Sequence, residues 1–277
     1  MDQGTVSESK PFKPSGIITL LTDFGLEDAY VGIMKGVMLG INPGAVMVDI
    51  THNVSLGDTV RAAIILRDSY RYFPEGTIHL AVVDPGVGTH RRPVIVRTRG
   101  HVFVGPDNGI FGEVLSGACS VIHITNTGYF LSDPGSTFHG RDIFAPVAAY
   151  LSNGVSCEKM GCLIDDPVLT GIPGPRQEDG RIIGQILYAD HFGNMVTNIK
   201  HEDIEVLGSG RRKQIRVMDV IIDGIAETYA NKGPGEPVAL FGSTGYLEIA
   251  VNRGNACRMF GVGDGEKGHI RVIVENV

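Results

Sequence analysis

IITLLTDFG, from Ile17 to Gly25, is the stretch that decides the fold. Ile17 to Thr22 is a continuous run of aliphatic and β-branched residues, too short for a helix, and it stops at Asp23 and Gly25. Such a run reads as a strand buried on both faces, as in a parallel sheet, delivering an acid at its carboxyl end. Working outward, Asp28 opens a helix in which Val31, Met34, Met38 and Ile41 recur every three or four residues, and Asn42-Pro43-Gly44 stops it. AVMVDI (Ala45 to Ile50) is a second strand and Asp58 to Phe73 a second helix, ended by Pro74 and Gly76. TIHLAVV (Thr77 to Val83) is a third strand, ending at Asp84. Two strand–helix–strand units predict an α/β N-terminal domain with a largely parallel sheet between helices. Strands at Pro93 to Thr98, His101 to Gly105 and Val121 to Thr125, then a helix from Asp142 to Ser152, complete it.

The pattern then changes. DDPVLTGIPGPRQEDG (residues 165–180) has the Pro, Gly and charge content of a linker, assigned to 171–180 between an N-terminal domain, 16–170, and a C-terminal domain, 181–277. IIGQILYAD, MVTNI, QIRVM, VIID, PVALF, YLEIAV and HIRVIV follow as closely spaced short strands without an amphipathic helix. That predicts a smaller all-β barrel or sandwich. Residues 1–15 are polar and read as a flexible tail, not a signal peptide.

Composition narrows the function. The chain has 277 residues, 43% hydrophobic and 20% charged, which supports real cores and excludes a disordered chain. A net charge of -7 argues against nucleic acid or an anionic membrane as partner and is neutral to mildly favourable for a small cationic ligand. No apolar run reaches the ~20 residues that cross a bilayer. Cys119, Cys157, Cys162 and Cys257 lack zinc-site spacing and read as small buried thiols, so the expected location is the cytoplasm.

Three acidic turns stand at strand ends: Asp23 in TDFG, Asp84 in DPGVG, and PDNG (Pro106 to Gly109). Ligands of open α/β sheets bind at such ends, although Asp is also an ordinary turn-former. TFHGRD (Thr137 to Asp142) precedes a helix that Asp142 could simply cap. His139, with Arg91 and Asp84, could orient and activate a water; the plainer readings are a surface ion pair and a solvated histidine. In the C-terminal half, ADHFGN supplies an acid, an aromatic and an amide in a turn, and GSTGYLEIAVN supplies Ser243, Tyr246 and Glu248. Tyr229 offers a stacking face for a purine, whereas Tyr246 and the alternating LEIAV fit a core.

Other motifs fail. DFG is followed by no kinase glycine loop or catalytic loop, there is no Walker A segment, and no glycine-rich turn joins the first strand to its helix. Histidines and acids lack metal-hydrolase spacing.

Taken in order, TDFG, DPGVGTHRR, PDNG, STFHGRD, DHFGN and STGYLEIAVN resemble the S-adenosylmethionine (SAM) hydrolases, or SAM hydroxide adenosyltransferases, relatives of the fluorinase and chlorinase. The resemblance runs from about Ile17 to Val274. It implies hydrolysis of SAM to adenosine and L-methionine without a metal or redox cofactor, in a homotrimer with SAM between the N-terminal domain of one subunit and the C-terminal domain of its neighbour. By the same resemblance Asp84, Arg91 and His139 activate water, and Asp23 holds the ribose hydroxyls. Tyr229 stacks on adenine, Asn194 and backbone near Val251 read its edge, Asp190 and Ser243 bind the methionine amine and carboxylate, and Phe192 lies against the ligand. Glu248 joins this substrate-binding set. The halogenases typically carry Tyr at the position of Asp84 and differ at His139; the fluorinase has Arg at Thr244. A chlorinase-like halogenase, a non-catalytic adenosine or SAM-binding module and a metal phosphohydrolase are the alternatives.

Overall fold

The computed structural model describes residues 12–115, 120–169, 171–208, 210–263 and 267–277; Cys119 and most of the expected tail lie outside them. The chain divides into two compact units, Met1–Gly171 and Ile172–Val277.

The first unit contains β1 (Ile17–Thr22), α1 (Tyr30–Ile41), β2 (Val46–Thr51), α2 (Thr59–Tyr70), β3 (Ile78–Val82), β4 (Pro93–Arg97), β5 (Val102–Pro106), β6 (Ser120–Ile124), α3 (Ala145–Ser152) and β7 (Gly161–Ile164). The sheet order is β2-β1-β3-β5-β4-β6-β7. Ladders from β2 to β5 are parallel and those from β5 to β7 antiparallel. Successive strand residues face opposite sides. Ile18, Leu20, Leu80 and Val82 therefore pack with Met34, Met38 and Phe144 on one face. Leu21, Ala81, Val83 and Phe103 pack with Ala62 and Leu66 of α2 on the other.

Asp58 caps α2 as its side chain accepts the Arg61 N–H at 2.8 Å. Asp28 does not open α1: the helix starts at Tyr30 after Ala29, without a side-chain cap. Within the stretch expected to be tail, Phe12 packs on the core and the Ser15 N–H donates to the Gly76 carbonyl at 2.9 Å. Of the cysteines, Cys157 is buried, Cys257 partly so, and Cys162 is exposed on β7, contrary to the buried-thiol reading, because β7 is an edge strand.

The second unit contains β8 (Arg176–Glu178), β9 (Arg181–Ala189), β10 (Met195–Lys200), α4 (His201–Glu205), β11 (Lys213–Val217), β12 (Val220–Asp223), β13 (Pro237–Phe241), β14 (Tyr246–Val251), α5 (Ala256–Phe260) and β15 (Arg271–Asn276). Its strands run β12-β11-β15-β9-β10-β14-β13, with β8 on β9, all antiparallel. Ala226 bridges to Leu240 of β13, so the two edges nearly meet and the sheet approaches a closed barrel. β8 lies in the segment expected to be linker. The helices α4 and α5 have five residues each, too few to print a period on the sequence.

Candidate active site

The sheet order puts β1 between β2 and β3, and the chain leaves β1 and β3 in opposite directions along the sheet. Such a switch point opens a crevice at the carboxyl ends of the strands. Asp23 follows β1 and Asp84 stands two residues past β3, one on each side of it. The Gly57 N–H donates to Asp23 Oδ2 at 2.8 Å. Burial raises the Asp23 carboxyl above its ordinary pKa; the Gly57 N–H opposes this and the nearby Asp84 charge adds to it.

Asp84 and Arg91 form a pair whose side chains are only 5% and 9% exposed, which removes the reading of a surface ion pair. Arg91 Nε lies 2.9 Å from each Asp84 oxygen, and Nη2 approaches Oδ2 as well. The same Nη2 donates to His139 Nδ1 at 2.6 Å. Beneath the guanidinium lies the buried Phe144 ring, its centroid 5.2 Å from Cζ. Three residues from two distant loops thus converge on one cation. His139 is not a free, solvated ring: burial lowers its pKa, Arg91 lowers it further, and Asp84 and Asp142 oppose.

The two loops meet backbone to backbone. Gly88 has φ +77°, and a Cβ there would sit 2.7 Å from the Ser136 carbonyl oxygen, so glycine is required for DPGVG to touch STFHGRD. Gly140 is closely flanked by Phe138, Phe24 and Met34, and Phe24, Tyr30 and Phe138 form an aromatic cluster with centroids 5.1 to 6.0 Å apart. Asp142 does not cap the helix. It sits inside a π-helical turn (Gly140–Phe144), accepts the Gly135 N–H at 2.9 Å and pairs with Arg141 at 2.6 Å, fixing the loop ahead of His139.

The polar side chains of PDNG brace their loop. Asp107 pairs with Arg92 at 2.6 Å and accepts the Val168 N–H at 2.8 Å, while Asn108 Nδ2 donates to the Val83 carbonyl at 2.8 Å. Sequence reading missed Gly57 and Phe144. Phe144 stands five residues after His139, and only its place in an apolar helix start hints at a role.

In the second unit Asp190 opens the β9–β10 turn. Its Oδ1 accepts the N–H groups of Phe192 at 2.9 Å and Asn194 at 2.8 Å, and its Oδ2 accepts Asn194 Nδ2 at 2.9 Å. Phe192 is 72% exposed at the turn, and Asn194 is buried. Tyr229 donates through its hydroxyl to Glu248 Oε2 at 3.0 Å. Burial, then the charge and hydrogen bond of Glu248, push the Tyr229 hydroxyl up to about 12. Burial also raises Glu248; the Tyr229 bond opposes and the Asp190 charge adds. Asp190, Tyr229 and Glu248 are therefore one electrostatic group. Tyr246 and Val251 are buried core residues of β14, and the Val251 carbonyl accepts the Gly254 N–H at 3.0 Å. Ser243 is exposed in the β13–β14 turn, one residue past Gly242, against which Glu248 packs. Beside it the Thr244 hydroxyl is buried without a hydrogen-bond partner.

Among the described residues no three His, Cys, Asp or Glu side chains are grouped to hold a metal ion. No helix among them is long and apolar enough to cross a membrane.

Residues 18–161 match the SAM hydroxide adenosyltransferase N-terminal domain, and residues 184–268 match its C-terminal domain. The chain is 35% identical to an (R)-S-adenosyl-L-methionine hydrolase of Salinispora tropica, over 92% of this chain and 97% of that one. It is 36% identical to the protein of the same name from Thermus thermophilus, over 90% and 96%. A fluorinase of an Actinoplanes species is 30% identical, over 87% and 93%. Among solved structures, an uncharacterized conserved protein from Thermotoga maritima superposes with a TM-score of 0.84 at 35% identity, over 94% of this chain and 100% of that one.

Proposed function

The chain belongs to the SAM hydroxide adenosyltransferase family, and from that premise we propose that it is a hydrolase converting SAM to adenosine and L-methionine. The observation that carries the reading is the contact of Arg91 with both Asp84 and His139. The relatives' names specify the (R) sulfonium epimer, which is the first substrate to try.

The chemistry follows from the leaving group. Attack at C5′ forms an O–C5′ bond while the C5′–S pair returns to sulfur, so a cationic sulfonium departs as a neutral thioether and no general acid is needed. The demand falls on the water, which must sit in line with the C5′–S bond. Orientation of this kind supplies up to about 7–11 kcal/mol of a barrier. A guanidinium carries no acceptor, so His139 Nδ1 must accept from Arg91 and the neutral ring keeps its proton on Nε2. His139 therefore grips the nucleophilic oxygen as a donor. Arg91 stabilises its hydroxide character, and Asp84, whose carboxylate has lone pairs beyond those facing Arg91, receives the departing proton. The Asp84 charge also repels a halide ion, which favours water over chloride. No metal or redox cofactor enters these steps.

Asp23 binds the ribose hydroxyls, and the Gly57 N–H that orients its carboxylate supports this role. Tyr229 stacks on adenine, with Asn194 and the backbone near Val251 at its edge and Phe192 against the ligand. Asp190 and Ser243 take the amine and carboxylate of methionine. The buried, unpartnered Thr244 hydroxyl supports a carboxylate contact where the fluorinase has Arg. The reading includes a cytoplasmic homotrimer in which neighbouring subunits complete each site; sedimentation tests the trimer. Chromatography of either SAM epimer after incubation with the protein tests the activity. Equal adenosine and methionine support it, and 5′-chloro-5′-deoxyadenosine in chloride would point to a halogenase.

A further inference from the structure

At the carboxyl end of β2 a buried histidine is fastened to the strand that carries Asp23. The β1–β2 register runs Leu20↔Asp49 and then Leu21↔Thr51, so β2 gains one residue at its end. Such a bulge re-aims the side chains that follow. His52, 2% exposed in its side chain, is turned onto β1, where a 2.8 Å hydrogen bond joins its Nδ1 to the fully buried Thr22 Oγ1. On the other side of the ring, Nε2 lies 3.1 Å from Asp49 Oδ1, while Lys35 of α1 holds Asp49 Oδ2 at 2.6 Å. The ring thus meets Asp49 through Nε2 and Thr22 through Nδ1, and the Thr22 bond is the one that reaches the strand carrying Asp23.

These bonds enclose Asp23 in sequence. Ahead of it, Thr22 Oγ1 bonds His52 and accepts the Phe24 N–H at 3.3 Å. Behind it, the His52 carbonyl accepts the Gly25 N–H at 2.8 Å. The TDFG turn has left the β1 ladder, and Gly25, at φ +68°, gives it no side-chain anchor of its own. We infer that His52, acting through Thr22, is a positioning residue that holds the Asp23 carboxylate where the two ribose hydroxyls of the nucleoside meet it. This inference rests on the reading of Asp23 as the ribose contact. His52 touches no substrate in it.

The test compares calorimetric binding of adenosine and 2′,3′-dideoxyadenosine to the full-length protein. Hydrogen bonds to a charged carboxylate predict that the wild type prefers adenosine by about tenfold or more. His52→Gln moves the amide to the Nε2 position and loses the Thr22 bond, whereas His52→Asn places an amide where Nδ1 was. The preference is expected to fall to within about threefold in His52→Gln and in Thr22→Val, and to recover in His52→Asn and Thr22→Ser. A loss of general structure weakens both ligands alike and leaves the ratio unchanged. Thr22→Val, which exchanges a hydroxyl for a methyl, keeps the test open if His52→Gln does not fold. A wild-type ratio in folded His52→Gln or Thr22→Val, with the ratio abolished in Asp23→Ala, overturns this inference alone. A wild-type ratio in Asp23→Ala overturns the ribose reading and the inference together.

Discussion

Arg91 Nη2 donates to His139 Nδ1 across 2.6 Å, and that one bond fixes which nitrogen of His139 is free to meet a ligand. A ring whose Nδ1 is occupied by a cation presents only Nε2–H. His139 then acts by donating, and a side chain that donates from the same place should substitute for it. His139→Gln carries its amide near the Nε2 position; His139→Asn does not. Loss of one oriented donor to a developing charge typically costs about 100- to 1,000-fold in kcat. We expect a loss in that range for His139→Asn, while His139→Gln stays within about tenfold of the wild type. Steady-state adenosine release measures both. Equal losses in the two variants would assign His139 a proton-accepting role instead.

The pH profile carries the same logic. Nδ1 accepts from Arg91 only while the ring is neutral. The folded His139 pKa lies below its ordinary value of 6.5, through burial first and the Arg91 charge second. Activity should fall on the acid side with a midpoint below 6.5. Asp84 opposes this lowering, so residual activity of Asp84→Asn should show its acid limb at still lower pH. An acid limb centred above 6.5 in the wild type would contradict the assignment.

Tyr229 is held by Glu248 at 3.0 Å, and burial first, with the charge and hydrogen bond of that carboxylate after it, raises the phenol to about 12. Glu248→Gln removes the charge but keeps an acceptor. Ultraviolet titration should then show one tyrosine ionising earlier than in the wild type. Adenosine affinity should weaken by about threefold to tenfold, the worth of an ordinary hydrogen bond. Unchanged titration and affinity would leave Glu248 with a packing role only.

A second histidine governs stability rather than chemistry. His79 lies in the core of the first unit, within 2.8 Å of Thr19 Oγ1 and 3.1 Å of His101 Nδ1, and burial with the His101 charge lowers its pKa to about 3. Between about 3 and 6.5 the unfolded chain binds a proton that the folded ring refuses, so stability falls as pH drops through that window. The slope from this group approaches about 1.4 kcal/mol per pH unit within the window and fades as pH rises past 6.5. Urea unfolding at several pH values should show a shallower slope in His79→Gln. An unchanged slope would assign the acid lability elsewhere.

What the sequence made legible follows physical lines. Asp23 and Asp84 were readable because buried strands are continuous apolar runs, and an acid ending such a run stands out. His139 stood out because its loop had no apolar run to bury it. Gly57 and Phe144 were not readable as partners, since the Gly57–Asp23 bond spans 34 residues and leaves no local mark. β7 and β8 were missed because each is held by its neighbour's ladder, and Leu163, 71% exposed, carries no core signal. His52 carries no local mark in the sequence, since its inward position follows a register shift between β1 and β2.

The most direct test of the account is to incubate SAM with the protein in water enriched in heavy oxygen and locate the label by mass spectrometry. Attack of water at C5′ predicts one heavy oxygen in the 5′-hydroxyl of adenosine and none in an equal amount of methionine. Label in the amino-acid product, or formation of 5′-methylthioadenosine instead of adenosine, would contradict it.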